Sequence, residues 1–207
     1  MRRAAVCAAA IAAMMVQCAS QARAGTTGFG LRIGPVNYNR GVGGATAYGV
    51  NVRLPVPFLE IAGSVEYSGK SNVPYEPDCN LQSGCPIGVY DLRDLAARAT
   101  LGVPIFSVPN LMRIYIGGGL GQHMIRQPDL SRQYDTSGTT PFEYDTKTVN
   151  KGSYHAVAGG HVGIPMTHIG AFAEGRVSWI QTEPVLRQTA LFVGFSLSLG
   201  SVGGAHP

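Results

Sequence analysis

Near the C-terminal end of the chain, apolar residues alternate with small or polar ones at period two. Leu191, Val193, Phe195, Leu197 and Leu199 fall on one face; Ala190, Gly194, Ser196 and Ser198 fall on the other, with Phe192 the one large exception. This predicts a two-faced strand, because a helical face would repeat every 3.6 residues. The same reading along the chain predicts eight strands, over residues 27–37, 45–55, 57–69, 90–104, 111–127, 153–165, 169–183 and 188–199. Glycine is scattered through them and sustained helical periodicity is absent. Residues 91–99 have a helix-like mixture, but their alternation continues into Leu101 and Val103, so they are read as strand.

One face of each strand is nearly free of charge. Examples are Phe29, Leu31 and Ile33, then Tyr48, Val50 and Val52, then Leu59, Ile61 and Val65. The series continues through Leu95 and Leu101, Ile114 and Ile116, Ala156 and Val162, and Val177 and Trp179. The opposite face mixes Gly, Ala and Ser with Arg32, Asn51, Arg53, Glu60, Glu66, Asp94, Arg98, Arg113, Glu174 and Arg176. The connections also alternate. Residues 54–58, 104–110 and 165–170 are short and rich in turn formers. At the other end, residues 70–89 and 128–152 form long polar connections, and 38–44 and 184–187 shorter ones.

The N-terminus changes the composition argument. Arg2 and Arg3 precede an apolar run from Ala4 to Val16, and Ala22 and Ala24 flank a small-x-small cleavage site before Gly25. Residues 1–24 therefore read as a secretory signal peptide. The apolar run is shorter than the roughly 20 residues a spanning helix needs. Three of the 16 basic residues, Arg2, Arg3 and Arg23, lie in that segment, which leaves 13 against 12 acids. The excess of positive charge thus belongs mostly to the leader and gives no support to nucleic-acid binding. Cys79 and Cys85 remain after cleavage and are expected to form a local disulfide in an exported chain. So short a loop stabilises by only about 2–2.5 kcal/mol in the chain-entropy model.

No remaining segment is long and apolar enough for a transmembrane helix, so a membrane location requires a closed barrel. A water-soluble barrel would cover its exterior densely with Lys, Glu and Thr. Here the lysines after residue 24 are only Lys70, Lys147 and Lys151, all in or near predicted loops. An inverted barrel fits better. Small residues make room in a narrow lumen, and the five arginines and four acids can pair there, as a sealed interior requires. Tyr48, Tyr67, Tyr154 and Trp179 toward the loop end, and Phe29, Phe58 and Ile169 toward the turn end, suit two interfacial girdles.

At this point the chain resembles the small outer-membrane β-barrels of the OmpA- and OmpX-like family. The resemblance covers nearly all of residues 25–200. It rests on residues 28–34, 114–121 and 171–177 and on the final alternating strand. It implies an all-β, eight-stranded antiparallel up-and-down transmembrane barrel in the bacterial outer membrane, a monomer in contact with outer-membrane lipid and lipopolysaccharide. It also implies insertion by the outer-membrane assembly machinery, which reads a C-terminal strand ending in an aromatic. This chain departs from that pattern: its last aromatic is Phe195, and a tail over 201–207 follows.

Chemistry is harder to find. Some eight-stranded barrels of this kind act on lipid A with a serine, a histidine and an orienting acid. The usual His-x-Ser spacing is missing, and Ser178 and Glu183 are expected to lack a histidine in register. His123, His155 and His161 fall on the interior face, where they read as hydrogen-bonding groups. His155 and His161 are six residues apart, about 20 Å along a strand, too far to share an ion. No metal, cofactor or catalytic residue is therefore expected. Arg32, Arg53, Glu60, Glu66, Asp94, Arg98, Arg113, Glu174 and Arg176 are the candidates for an interior ion-pair network. The expected function is a non-enzymatic structural or surface-interaction barrel. The alternatives are a narrow pore for small solutes and a lipid A-modifying enzyme.

Overall fold

The computed structural model describes residues 28–39, 41–56, 59–75, 88–108, 111–129, 142–164 and 167–198. The expected signal peptide, the Cys79–Cys85 pair, Phe58 and the tail after Leu199 lie outside these residues.

Among the described residues, eight long strands close into a ring. They are β1 (Gly28–Tyr38), β2 (Gly43–Val56), β3 (Leu59–Tyr75), β4 (Gly88–Val108), β5 (Met112–Pro128), β7 (Thr146–Gly163), β8 (Ile169–Ile180) and β9 (Leu186–Ser198); β6 is the two-residue segment Phe142–Glu143. Each long strand pairs antiparallel with its chain neighbour, and β1 pairs with β9 to close the barrel. From the short-turn end up to the Arg93–Arg126 pair the closed ring leaves no open edge, which a lipid environment demands. The turn from β1 to β2 is made possible by Gly41 and Gly43, both at positive φ.

The alternation predicted from sequence becomes the two faces of the wall. Along β1, burial alternates without interruption from Gly28 to Tyr38. Leu31, Leu101, Leu120, Leu191 and Phe195 project outward and are 55–72% exposed, whereas Arg32, Arg98 and Arg176 are buried inside. Apolar atoms outside and charges inside invert the soluble pattern, and an apolar exterior band of this kind is what lipid selects.

The strands are not of one height. β3, β4, β5 and β7 contain 17–21 residues, against 11–14 for β1, β2, β8 and β9. Sequence pattern alone predicts an end to β3 at 69 and a start for β7 at 153, because the polar stretches 70–75 and 146–152 look like loop. Backbone pairing carries the ladder through both stretches. At the short-turn end, β4 runs on to Val108 past a register shift between Pro104 and Phe106, so residues 104–108 are strand and not turn. At the tall end β4 and β5 part above the Arg93–Arg126 pair. β6 then fills the split by pairing parallel with Gly88 and Val89.

In this tall extension the faces exchange character while the alternation continues. Below the exchange, β4 turns Asp94 and Arg98 inward and Leu95 outward; above it, Leu92 and Tyr90 point inward and Arg93 outward. On β5 the same exchange separates inward His123 from inward Ile125. Val36, Tyr38, Val42, Val73, Tyr90, Leu92, Ile125, Tyr144, Ile180 and Phe192 form an apolar core at this end of the lumen. The barrel is thus inside-out through its middle and soluble-like at its loop end.

Candidate functional site: the filled lumen

The middle of the lumen is organised around one carboxylate. Glu66 on β3 accepts from Arg32 Nη1 on β1 at 2.6 Å, from Arg176 Nη1 on β8 at 2.8 Å, and from Arg98 on β4 and a second Arg176 nitrogen at 2.5 Å. Ser64 Oγ donates to it at 3.0 Å. All three arginines are at most 5% exposed. Glu174 on β8 takes the next layer, accepting from Arg32 Nη2 at 3.1 Å and from the Tyr115 hydroxyl at 2.9 Å, with Arg53 and Arg176 at 3.7 and 3.8 Å. Nearer the short turns, Glu60 faces Arg53 at 3.7 Å and Arg113 at 3.9 Å, too long for hydrogen bonds. All of Arg32, Arg53, Glu60, Glu66, Arg98, Arg113, Glu174 and Arg176 therefore stand within 4 Å of an opposite charge inside the barrel.

Aromatic rings hold the guanidinium planes. Phe192, the exception in the Gly/Ser face, is fully buried and lies 4.9 Å from Arg32 and 4.8 Å from Arg176. Arg53 lies 4.3 Å from the Phe172 ring and 5.4 Å from that of Tyr115. Such stacking favours a planar, weakly hydrated cation. The glycines on this face make the room. A β-carbon at Gly194 would stand 2.6 Å from the Phe172 ring, and one at Gly159 would stand 2.6 Å from the Tyr115 hydroxyl.

Toward the loop end, Asp94 on β4 builds a second cluster, joined to Glu66 through Arg98. His123 Nδ1 on β5 lies 2.9 and 3.0 Å from its two oxygens, and His123 Nε2 lies 3.0 Å from Ser153 Oγ on β7. Arg98 Nη2 also approaches Nε2, at 3.3 Å. Because an arginine can only donate, Nε2 is the acceptor and Nδ1 carries the proton shared with Asp94. Tyr38 donates to Asp94 at 2.9 Å, and Gln188 joins Tyr38 to Arg98 at 2.8 and 2.9 Å. A search for His-x-Ser on one strand misses this Asp–His–Ser chain because its members sit on three strands. Inward polar residues at matching heights on β4, β5 and β7 were the available signal.

The other histidines make single contacts: His155 Nε2 with Thr100 Oγ1 at 2.9 Å, and His161 Nε2 with Ser196 Oγ at 2.8 Å. One expectation needs correcting. Ser178 does have a histidine in register, since β7–β8 pairing sets it opposite His155. The pair makes no hydrogen bond: Ser178 Oγ and His155 Nδ1 are both buried without one. Among the described residues no group of three or more His, Cys, Asp or Glu side chains is arranged to hold a metal ion. On the exterior, Tyr48 and Tyr67 pair at 5.6 Å, and Tyr154 stacks on Trp179 at 5.2 Å. Both pairs lie toward the loop end of the apolar band.

No protein-family model and no curated protein sequence matches the chain. Solved structures do. Neisserial surface protein A aligns over 84% of this chain and 97% of its own, at 10% identity and a TM-score of 0.58. A major outer membrane protein from Thermus thermophilus aligns over 84% of this chain and all of its own, at 7% identity and a TM-score of 0.55. Identities this low speak to fold. The chain has the eight-stranded fold of the small outer-membrane β-barrels, with an exterior suited to the outer membrane.

Proposed function

We propose that this is a non-enzymatic integral barrel of the bacterial outer membrane with a structural or surface-interaction role, and that its lumen does not conduct. The observation that carries this reading is Glu66 gripped by Arg32, Arg98 and Arg176 from three other strands, with Phe192 stacked on two of them. Groups fixed to one another across a lumen this narrow leave little path for a hydrated ion. An apolar core closes the loop end above them. Planar-bilayer recording is the test: conductance at background supports the reading, and stable openings of the purified protein overturn it.

A second reading has its own support. Asp94, His123 and Ser153 stand in the order acid, base, nucleophile, with the tautomer a hydrolytic serine requires. Their burial argues for the first reading, since His123 is 0% and Ser153 4% exposed and an acyl substrate must reach the serine. A fluorophosphonate probe and mass analysis of lipid A separate the two. Labelling lost in Ser153→Ala, or a changed acyl pattern on expression, would establish the enzyme.

A further inference from the structure

The short-turn end of the lumen differs from its middle in how its charges are satisfied. Arg53 on β2 is 6% exposed and Glu60 on β3 5%. Yet Arg53 Nη1 and Nη2, Arg113 Nη1 and Glu60 Oε1 are buried with no hydrogen-bond partner among the described residues. Their ion pairs, at 3.7 and 3.9 Å, are too long for hydrogen bonds. Glu174 Oε2 also stands 3.7 Å from Arg53, but it is already taken by Arg32 and Tyr115. Two guanidinium groups thus share one carboxylate, and their unmade hydrogen bonds are costly in a buried site.

Arg53 is nonetheless held in place. Asn51, with its amide turned to donate to the Gly30 carbonyl at 3.0 Å, accepts from Arg53 Nε at 2.9 Å. The Phe172 and Tyr115 rings lie 4.3 and 5.4 Å from the same guanidinium. Its two Nη atoms are left as fixed donors. Arg113, the second residue of β5, has a side chain 24% exposed, which gives access from the short-turn mouth.

From this geometry we propose that Arg53, Arg113 and Glu60 bind a small oxyanion that carries a proton, of the hydrogencarbonate or hydrogen phosphate class. The ligand's oxygens accept from the arginines in charge-assisted bonds. Glu60, which as a carboxylate can only accept, takes the ligand's O–H. A proton-free anion of the same shape leaves Glu60 unpaired and facing a like charge, and is rejected. The Glu66 cluster and the apolar core lie beyond, so the ligand enters and leaves by the short-turn mouth.

The test uses full-length processed protein in mild detergent, titrated calorimetrically at neutral pH and constant ionic strength. Two shape-matched pairs serve as probes: hydrogencarbonate against nitrate, and inorganic phosphate against sulfate. Wild type should bind the protonated member of at least one pair about 10-fold or more tightly than its partner. Glu60→Gln should lose that preference, because an amide donates as well as accepts. Arg113→Gln, at the accessible edge, should weaken the protonated oxyanion by about 10-fold, one charge-assisted bond. Heat-modifiable migration reports the folded barrel in each sample. No binding of hydrogencarbonate or phosphate by wild type at millimolar concentration, as expected if water alone satisfies these atoms, overturns the site. Equal affinity within both pairs, or an unchanged preference in folded Glu60→Gln, also overturns it. Bilayer conductance bears only on the proposed non-conducting role, so the two readings fail separately.

Discussion

The middle of the lumen and its loop end are filled by opposite chemistry within one continuous wall. In the middle, five arginines and three glutamates meet across the barrel, while toward the loops the same inward positions carry Leu92, Tyr90, Val73, Ile125 and Ile180. The difference follows from the solvent outside. Where lipid surrounds the wall, apolar side chains gain nothing by turning inward, so the interior is left to polar groups that satisfy one another. Where the tall strands rise beyond the lipid, water surrounds them and burial of apolar surface becomes favourable again. The boundary lies within single residues, between Arg93 and Asp94 on β4 and between His123 and Ile125 on β5.

The comparison is broken most severely at Glu66. Glu66→Ala leaves three buried arginines around one lost carboxylate and should cost about 5 kcal/mol, the upper end for breaking a buried pair. Urea unfolding followed by the heat-modified gel shift measures this, and a midpoint like that of wild type would show the network to be dispensable. Phe192→Ala, at the join of the two regions, should cost about 3–4 kcal/mol through the cavity it leaves and the lost stacking on Arg32 and Arg176.

A charge scan tests where the lipid ends. Leu101→Arg, within the exposed apolar band, should cost about 2–4 kcal/mol, whereas Thr148→Arg, opposite Arg126 beyond the band, should cost about 0–1 kcal/mol. Equal effects in folding assays into bilayers would dissolve the boundary. A comparably small effect is expected at Ser153→Ala, about 1 kcal/mol for one hydrogen bond, because His123 Nε2 keeps the donor of Arg98.

Much of this was legible in advance. The inward set from Arg32 to Arg176 and the outward set from Leu31 to Phe195 follow from parity alone, because a strand has only two faces. Phe192 broke the small-residue rule for a reason parity cannot express, as its ring lies beside arginines from β1 and β8. The exchange of faces was also partly written in the sequence. Leu92 and Ile125 keep the parity of Asp94 and His123 within the predicted strands 90–104 and 111–127, but their partners Lys70 and Val149 lie in stretches that read as loop, and only the pairing shows that the wall rises so far.

By itself, then, the sequence determined which side chains share a face and that the outward face is apolar. Period two is a local property of the backbone. The tertiary structure decided who meets whom inside: Glu66 with Arg176, 110 residues away, or Asp94 with His123 and Ser153. Those meetings depend on how the strands are staggered when β1 closes on β9. That stagger is set by all eight pairings together, which no single segment encodes.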